Sequence, residues 1–161
     1  MPSVADLLAT LARYPRFAIL IHDNPDPDAL SSALGLQRLL GARLPGRPVR
    51  IISAGVLGRA ENRAMIRLCR IRLSLSERTR LRDDEGTILL DTQPWTGNSV
   101  FPERRVPTAV IDHHPRRRRT RGDFIDVRPE VGATASIIAS YFAETGIEAG
   151  PVTASALLFG I

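Results

Sequence analysis

The sequence predicts a doubly wound α/β fold, a mostly parallel sheet with helices on both faces, and three observations predict it. Short apolar runs of strand length recur at residues 17–21, 49–53, 87–91 and 106–111, and runs without polar alternation belong to strands buried on both faces. Stretches with apolar residues at helical spacing lie between several of them, so strands and helices alternate along the chain. Three of the runs lead directly into ionisable residues, as expected where ligands gather beyond the carboxyl ends of parallel strands.

Each element has its own signal. Val4, Leu7, Leu8 and Leu11 recur at helical spacing behind Ser3, a candidate N-cap, and Pro15 ends the pattern. Phe17-Ala18-Ile19-Leu20-Ile21 is the first buried strand. Residues 29–40 are Leu-rich and helix-compatible, with Gly41 expected as the C-terminal cap. Arg43-Leu44-Pro45-Gly46-Arg47-Pro48 is a turn, and Val49-Arg50-Ile51-Ile52-Ser53 a second strand that completes a βαβ unit. Ala64, Met65 and Leu68 define a helix over residues 61–68. Ile71, Leu73 and Leu75 alternate with polar residues as in a half-exposed strand, and residues 76–85 read as a surface helix or loop. Thr87-Ile88-Leu89-Leu90-Asp91 is a buried strand ending on an aspartate. The next starts after Pro107 and runs into Asp112-His113-His114. Phe124-Ile125-Asp126-Val127 is a short strand, residues 132–142 form a helix before Gly146, and residues 151–161 form a last apolar helix.

The chain of 161 residues suits one domain, and an apolar fraction of 43% fits a globular protein. The N-terminus lacks the basic region of a secretory signal, and no apolar run approaches the roughly 20 residues of a membrane span. A cytoplasmic protein without membrane partners is the expectation. Cys69 is the single cysteine, which excludes an intrachain disulfide and a cysteine-rich zinc site. All 22 basic residues are arginine, and the net charge of +5 favours anionic partners such as nucleotides. The complete absence of lysine is more simply a compositional bias than a phosphate-binding device. No repeat or linker is evident, and the one low-complexity tract is Arg116-Arg117-Arg118-Arg119.

The chemistry concentrates in His22-Asp23-Asn24-Pro25-Asp26-Pro27-Asp28, directly behind the first strand. Carboxylates so close raise one another's pKa unless a cation or a proton sits between them. Taken alone, the stretch also reads as a proline-stiffened turn whose aspartates cap the next helix. But Asp91 ends another strand, and Asp112, His113 and His114 follow a third, so His22, Asp26, Asp28, Asp91 and the triplet are aimed at one edge of the sheet. All three histidines of the chain lie in these clusters, which unrelated capping residues would not predict. Imidazole mixed with carboxylates and no thiolate suits manganese, iron, zinc or magnesium, with manganese preferred and magnesium second. The ligands outnumber what one ion needs. The expectation is therefore two divalent metal ions roughly 4 Å apart with a shared carboxylate, an arrangement used to hydrolyse phosphate esters.

The loop from His22 to Ala29, Asp91 within Leu90-Asp91-Thr92-Gln93-Pro94, the Asp112-His113-His114 triplet and Gly132-Ala133-Thr134-Ala135-Ser136 resemble, in order and spacing, four successive motifs of the DHH family of phosphoesterases. The resemblance covers nearly the whole chain. Within the family it is closest to bacterial enzymes that degrade very short oligoribonucleotides and dephosphorylate 3′-phosphoadenosine 5′-phosphate. It implies a Rossmann-like domain in which His22 and Asp26 bind one ion, Asp28 and His113 bind the other, and Asp91 bridges them. His114 would contact the substrate phosphate and Asp112 would orient the neighbouring histidines, the two forming the catalytic pair. Short single-stranded RNA or DNA, or a nucleotide, is the implied partner, and a homodimer is compatible with it. Gly132 and Thr134 at a helix N-terminus read either as a simple helix start or as an anion receptor. Asn24 and Arg116 are further candidate substrate contacts, although a solvated charge run is the favoured reading of residues 116–119. Trp95 reads equally as a base-stacking platform or as an ordinary packed tryptophan.

The sequence departs from the family pattern at its end. Leu157-Leu158-Phe159-Gly160-Ile161 resembles a segment that in the family is followed at once by a metal-binding aspartate and, after a linker, by a DHH-associated domain. Residues 1–161 are thus expected to form a DHH domain ending before the last metal-ligand motif, without the associated domain and impaired or inactive in isolation. Three functions follow: a two-metal phosphodiesterase or phosphatase on short nucleotides, a pyrophosphate or polyphosphate hydrolase of the same fold, and a catalytically silent nucleotide-binding regulatory domain.

Overall fold

Ser3 and Asp6 exchange hydrogen bonds between side chain and backbone, a capping box that starts helix α1 (Val4–Leu11) and turns Val4, Leu7 and Leu11 inward. The computed structural model describes residues 2–76 and 80–161. After α1 come β1 (Arg16–Leu20), α2 (Pro27–Arg43), β2 (Val49–Ser53), α3 (Ala60–Leu68), β3 (Leu73–Leu75), β4 (Glu85–Leu90), β5 (Ala109–Asp112), β6 (Phe124–Val127), α4 (Thr134–Thr145) and α5 (Gly150–Gly160). The six strands form one sheet in the order β3-β2-β1-β4-β5-β6, and every pairing is parallel, with Ile19 opposite Ile51 on one side and Ile88 on the other. This is a doubly wound α/β fold. Its strand order reverses between β1 and β4, and a crevice opens at such a switch point beyond the carboxyl ends of the strands.

Successive strand residues face opposite sides. Phe17, Ile19, Ile51, Ile88, Leu90, Ala109 and Ile111 pack with the buried residues of all five helices in one large cluster. The other side, built from Ala18, Leu20, Ile52, Leu89 and Val110, is covered by Phe101 with Leu81 and Val100, which lie in connecting segments. The expected helix layer on that side is thus replaced, among the described residues, by loops. The large cluster is tight: Gly35 of α2 sits so close to α4 and α5 that a Cβ there would stand 2.7 Å from Ile138 Cγ2 and 3.2 Å from Leu157 Cδ2.

Several boundaries differ from those expected. α2 runs through Gly41 and is capped at Leu44, because Pro45 is the residue that cannot continue a helix. β3 covers only Leu73–Leu75, and β4 starts at Glu85, where a bidentate pair to Arg50 (2.8 and 2.7 Å) holds the buried carboxylate. Residues 77–79 of the charged segment lie outside the described residues, and residues 80–84 are loop and turn. Asp126, also buried, is closed off by a bidentate Arg128 and by the Tyr141 hydroxyl at 2.6 Å. Burial first, then Asp126, pushes the Tyr141 pKa up. No helix among the described residues is long and apolar enough to cross a membrane.

Candidate metal centre

Asp91 is the residue around which the site is built. It follows β4 at the switch point, is only 3% exposed, and adopts a left-handed φ of 57°. Such strain in a non-glycine residue persists only where surrounding structure demands it, and aspartate is among the side chains that tolerate the conformation. The Asp91 N–H donates to Ile111 of the neighbouring strand at 2.9 Å, and Thr134 Oγ1 donates to Asp91 Oδ1 at 2.8 Å. The carboxylate is thereby aimed beyond the strand ends.

The other strands deliver their groups to it. His22, past β1, brings Nε2 to 3.5 Å from Asp91 Oδ2 and 3.7 Å from Asp26 Oδ1. His113, past β5, stands with Nε2 3.7 Å from both Asp91 Oδ1 and Asp28 Oδ2. His114 Nδ1 lies 3.9 Å from Asp91 Oδ1. Two groups result, His22 with Asp26 and Asp91, and Asp91 with His113 and His114, each offering ligand atoms within 4.8 Å of one another. Asp91 is common to both. Asp28 stands beside the second group, its two oxygens accepting the N–H groups of Thr134 and Ala135 (2.8 and 2.7 Å) and the Ser32 hydroxyl at 3.1 Å.

These separations suit a bound ion better than direct hydrogen bonds. Separations of 3.5 to 3.9 Å are too long for N–H···O bonds, while ligands held about 2.1 Å from a divalent ion stand roughly 3–3.5 Å apart. His22 Nδ1 makes its bond to the Asp23 carbonyl at 2.9 Å, so it carries the hydrogen and Nε2 turns a lone pair toward two carboxylates. Lone pair and carboxylates repel unless a proton or a cation lies between them. The donor set therefore fits a divalent metal, and the orienting carbonyl behind His22 is the partner a ligating imidazole uses.

Without a metal, protons answer this demand. Burial opposes charge on His22, but Asp26 and Asp91 overcome it and raise its pKa to about 10. His22 in turn holds Asp26 down at about 2. Burial, with the Asp91 charge, raises Asp28 to about 6 against its three hydrogen bonds. Burial likewise opposes charge on His114, and its bond to Asp112 wins, leaving the pKa above the ordinary value. A direct consequence is expected. Near neutral pH the metal-free His22 keeps its proton, and a metal must displace it from Nε2, so binding releases a proton and apparent affinity rises about tenfold per pH unit until His22 deprotonates. Asp28, ionised above about pH 6, adds little at that pH. Calorimetric titration with manganese in two buffers of different ionisation enthalpy reads the release directly. Identical heats in both buffers would count against His22 as a ligand.

The triplet is held from behind by Gln93, which the sequence reading passed over. Gln93 is 2% exposed. Its Nε2 donates to Asp112 Oδ2 at 2.7 Å and to the Pro115 carbonyl at 3.2 Å, while its Oε1 accepts from the Arg117 N–H at 2.9 Å and the Thr120 hydroxyl at 2.5 Å. Asp112, 1% exposed, passes the constraint to His114 Nδ1 through a 2.8 Å bond. A glutamine two residues behind a motif aspartate was the available signal. Gln93→Leu, near in volume, strands a buried carboxylate oxygen, a hydroxyl and an N–H. It is expected to lower unfolding free energy by about 2–4 kcal/mol in urea titration, and unchanged stability would show these bonds to be incidental.

The expected substrate contacts divide. Thr134 is fully buried, with its N–H on Asp28 and its hydroxyl on Asp91, so the helix N-terminus that reads either as a simple helix start or as an anion receptor receives the Asp28 carboxylate of the chain itself. Gly132 is exposed beside it. Arg116 and His114, both exposed, line a 510 Å³ cavity with Asp91, Gln93 and Arg117. Asn24 borders a separate 410 Å³ cavity with His22 and Asp26. Half-buried Trp95 has the Arg119 guanidinium 5.9 Å from its ring centre.

A histidine-carboxylate cluster that could hold a divalent metal thus lies at the switch point of a parallel α/β sheet. The chain belongs to the DHH family: the description DHH family, N-terminal domain, matches residues 16–161. An uncharacterised protein of Methanocaldococcus jannaschii is 41% identical over 143 residues, covering 89% of this chain and 29% of that protein. An exopolyphosphatase-related protein from Bacteroides fragilis superimposes with a TM-score of 0.69 at 17% identity, over 98% of this chain and 48% of the other. A putative family II inorganic pyrophosphatase of Methanococcus jannaschii gives 0.55 at 23% identity, over 90% and 46%. Both structural likenesses concern the fold, and the chain spans less than half the length of each of these relatives.

Proposed function

We propose that the chain is the metal-binding domain of a phosphoesterase that hydrolyses short oligonucleotides or nucleotide phosphates, including 3′-phosphoadenosine 5′-phosphate, with two divalent ions, manganese preferred. The observation that carries this reading is the division of Asp91, with Oδ2 toward His22 and Oδ1 toward His113 and His114. When bound, two ions would supply a hydroxide near neutral pH and a positive seat for phosphate oxygens. His22, Asp26, Asp28, Asp91 and His113 would hold them. His114 keeps Nε2 at the cavity, because Nδ1 is committed to Asp112, and can donate from there to a phosphate oxygen. Arg116 and Arg117 set positive charge along the same wall.

The rim arginines also favour a second reading, hydrolysis of pyrophosphate or polyphosphate, the substrates named for the two structural relatives. Product analysis separates them: the full gene product is incubated with a dinucleotide, with 3′-phosphoadenosine 5′-phosphate and with pyrophosphate, each with manganese or magnesium. Mononucleotide or adenosine 5′-phosphate as product supports the first reading. Orthophosphate from pyrophosphate alone supports the second, and nucleotide binding without turnover supports a silent regulatory domain.

A further inference from the structure

The centre lies between two cavities of different chemistry. On the Asp91 and His114 side the wall carries two arginines, Arg116 and Arg117. On the His22 and Asp26 side the 410 Å³ cavity is bordered by Asn24, Arg59 and Asn62, which have no part in the centre described above. Asn62, 4% exposed, donates Nδ2 to the Pro25 carbonyl at 2.8 Å, and this bond settles which end of the amide is which. Its Oδ1 is buried with no hydrogen-bond partner, a costly condition for an acceptor in native structure. Asn24 is its counterpart. The Asn24 Oδ1 accepts from the Val56 N–H at 2.8 Å, and its amide nitrogen has no partner among the described residues. This contact requires Gly55, with φ 76°, because a Cβ there would lie 2.5 Å from Asn24 Oδ1. The guanidinium of Arg59, the exposed residue that opens α3, makes no hydrogen bond or ion pair among the described residues. The cavity thus offers an unused acceptor, unused donors and an unused cation, all within a wall shared with His22 and Asp26.

We infer that this cavity is a second subsite, which binds the nucleoside unit on one side of the scissile phosphate, with Asn62 and Asn24 reading a donor and an acceptor of that unit and Arg59 its next phosphate. The inference rests on the phosphoesterase reading and narrows it. A substrate that occupies both cavities has its reacting phosphate substituted on both sides, which describes an internal diester rather than a terminal phosphate. Bare polyphosphate has no N–H or sugar hydroxyl to place against Asn62 Oδ1, so the cavity selects nucleotide over polyphosphate.

The test is equilibrium binding of the dinucleotide pApA and of tripolyphosphate to the manganese-loaded full gene product, with turnover of bis(p-nitrophenyl) phosphate measured alongside. Arg59→Ala, an exposed position, and Asn62→Ala, which removes the acceptor without adding charge, are compared with the unaltered protein. Each variant is expected to weaken pApA binding about tenfold or more. Tripolyphosphate binding by Asn62→Ala and turnover of the small diester by Arg59→Ala are expected to stay within about twofold of the unaltered protein. Equal pApA binding by all three proteins overturns the subsite. Loss of pApA and tripolyphosphate binding in equal measure overturns the nucleotide preference. Variant-sensitive pApA binding without turnover of the small diester leaves the subsite standing and removes the hydrolase reading.

Discussion

Asp91→Asn is expected to reduce bound manganese from about two ions per chain to one or none, and to lower kcat/KM by roughly 10³-fold or more. The carboxylate is the one group shared by both ligand sets, and a neutral amide has a single oxygen, so it cannot serve both. Asparagine is the informative substitution because it tolerates the left-handed backbone at φ 57°, where alanine adds a strain of about 1 kcal/mol or more to the lost charge. Thr134 Oγ1 can still donate to the remaining oxygen, so the variant is expected to fold. The metal-free protein has a second readout. Asp91 helps raise Asp28 to about 6 and His22 to about 10, so without its charge both pKa values should move back toward ordinary, Asp28 downward and His22 downward. Metal content by mass spectrometry decides the matter. Two ions retained by Asp91→Asn would contradict the bridge, whatever happens to the rate.

The parts of this architecture that were legible in the sequence are those set by burial and strand direction. β1, β4 and β5 read as strands because short apolar runs of strand length bounded by polar residues fit strands covered on both sides. Their direction then placed His22, Asp91 and the triplet at one edge, where the structure does bring them together. Helix ends were legible only where the chain has a chemical stop. Gly146, with φ 65°, caps α4 as its position suggested, whereas Gly41 is passed over because Pro45 is the stronger stop. What the sequence does not display is long-range partnership. The place of Gln93 two residues behind Asp91 is its one local mark and does not say that it ties Asp112 to residues 114–120, since its five partners lie 19 to 27 positions away. The same holds for Thr134, whose partners Asp28 and Asp91 are 106 and 43 positions distant. Its motif was visible, but two readings of a helix start were open, and the structure fills the helix N-terminus with a carboxylate of the chain itself. The loop covering of the second sheet face was equally hidden, because Leu81, Val100 and Phe101 form no periodic pattern.

His114→Ala is expected to leave metal content unchanged while lowering kcat/KM about 10²–10³-fold. The distinction from Asp91 follows from which atoms are free. His114 lies within reach of a metal-ligand group through Nδ1, 3.9 Å from Asp91, but that nitrogen makes its 2.8 Å bond to Asp112, whose other oxygen is fixed by Gln93. A nitrogen that donates to a carboxylate has no lone pair for a metal. The free nitrogen, Nε2, belongs to a side chain 56% exposed at the wall of the cavity that also holds Arg116, so it is placed to meet substrate. Asp112→Asn probes the same arrangement from behind. An amide oxygen can still accept from Nδ1, but the charge that favours a protonated ring is gone, so a loss of about 10–100-fold is expected with metal content intact. The two variants should shift the pH profile differently: Asp112→Asn lowers the His114 pKa and moves the acidic requirement to lower pH, whereas His114→Ala removes it. Loss of an ion in His114→Ala would instead make Nδ1 a ligand, and the Asp112 bond would then be a feature of the metal-free protein that rearranges on loading.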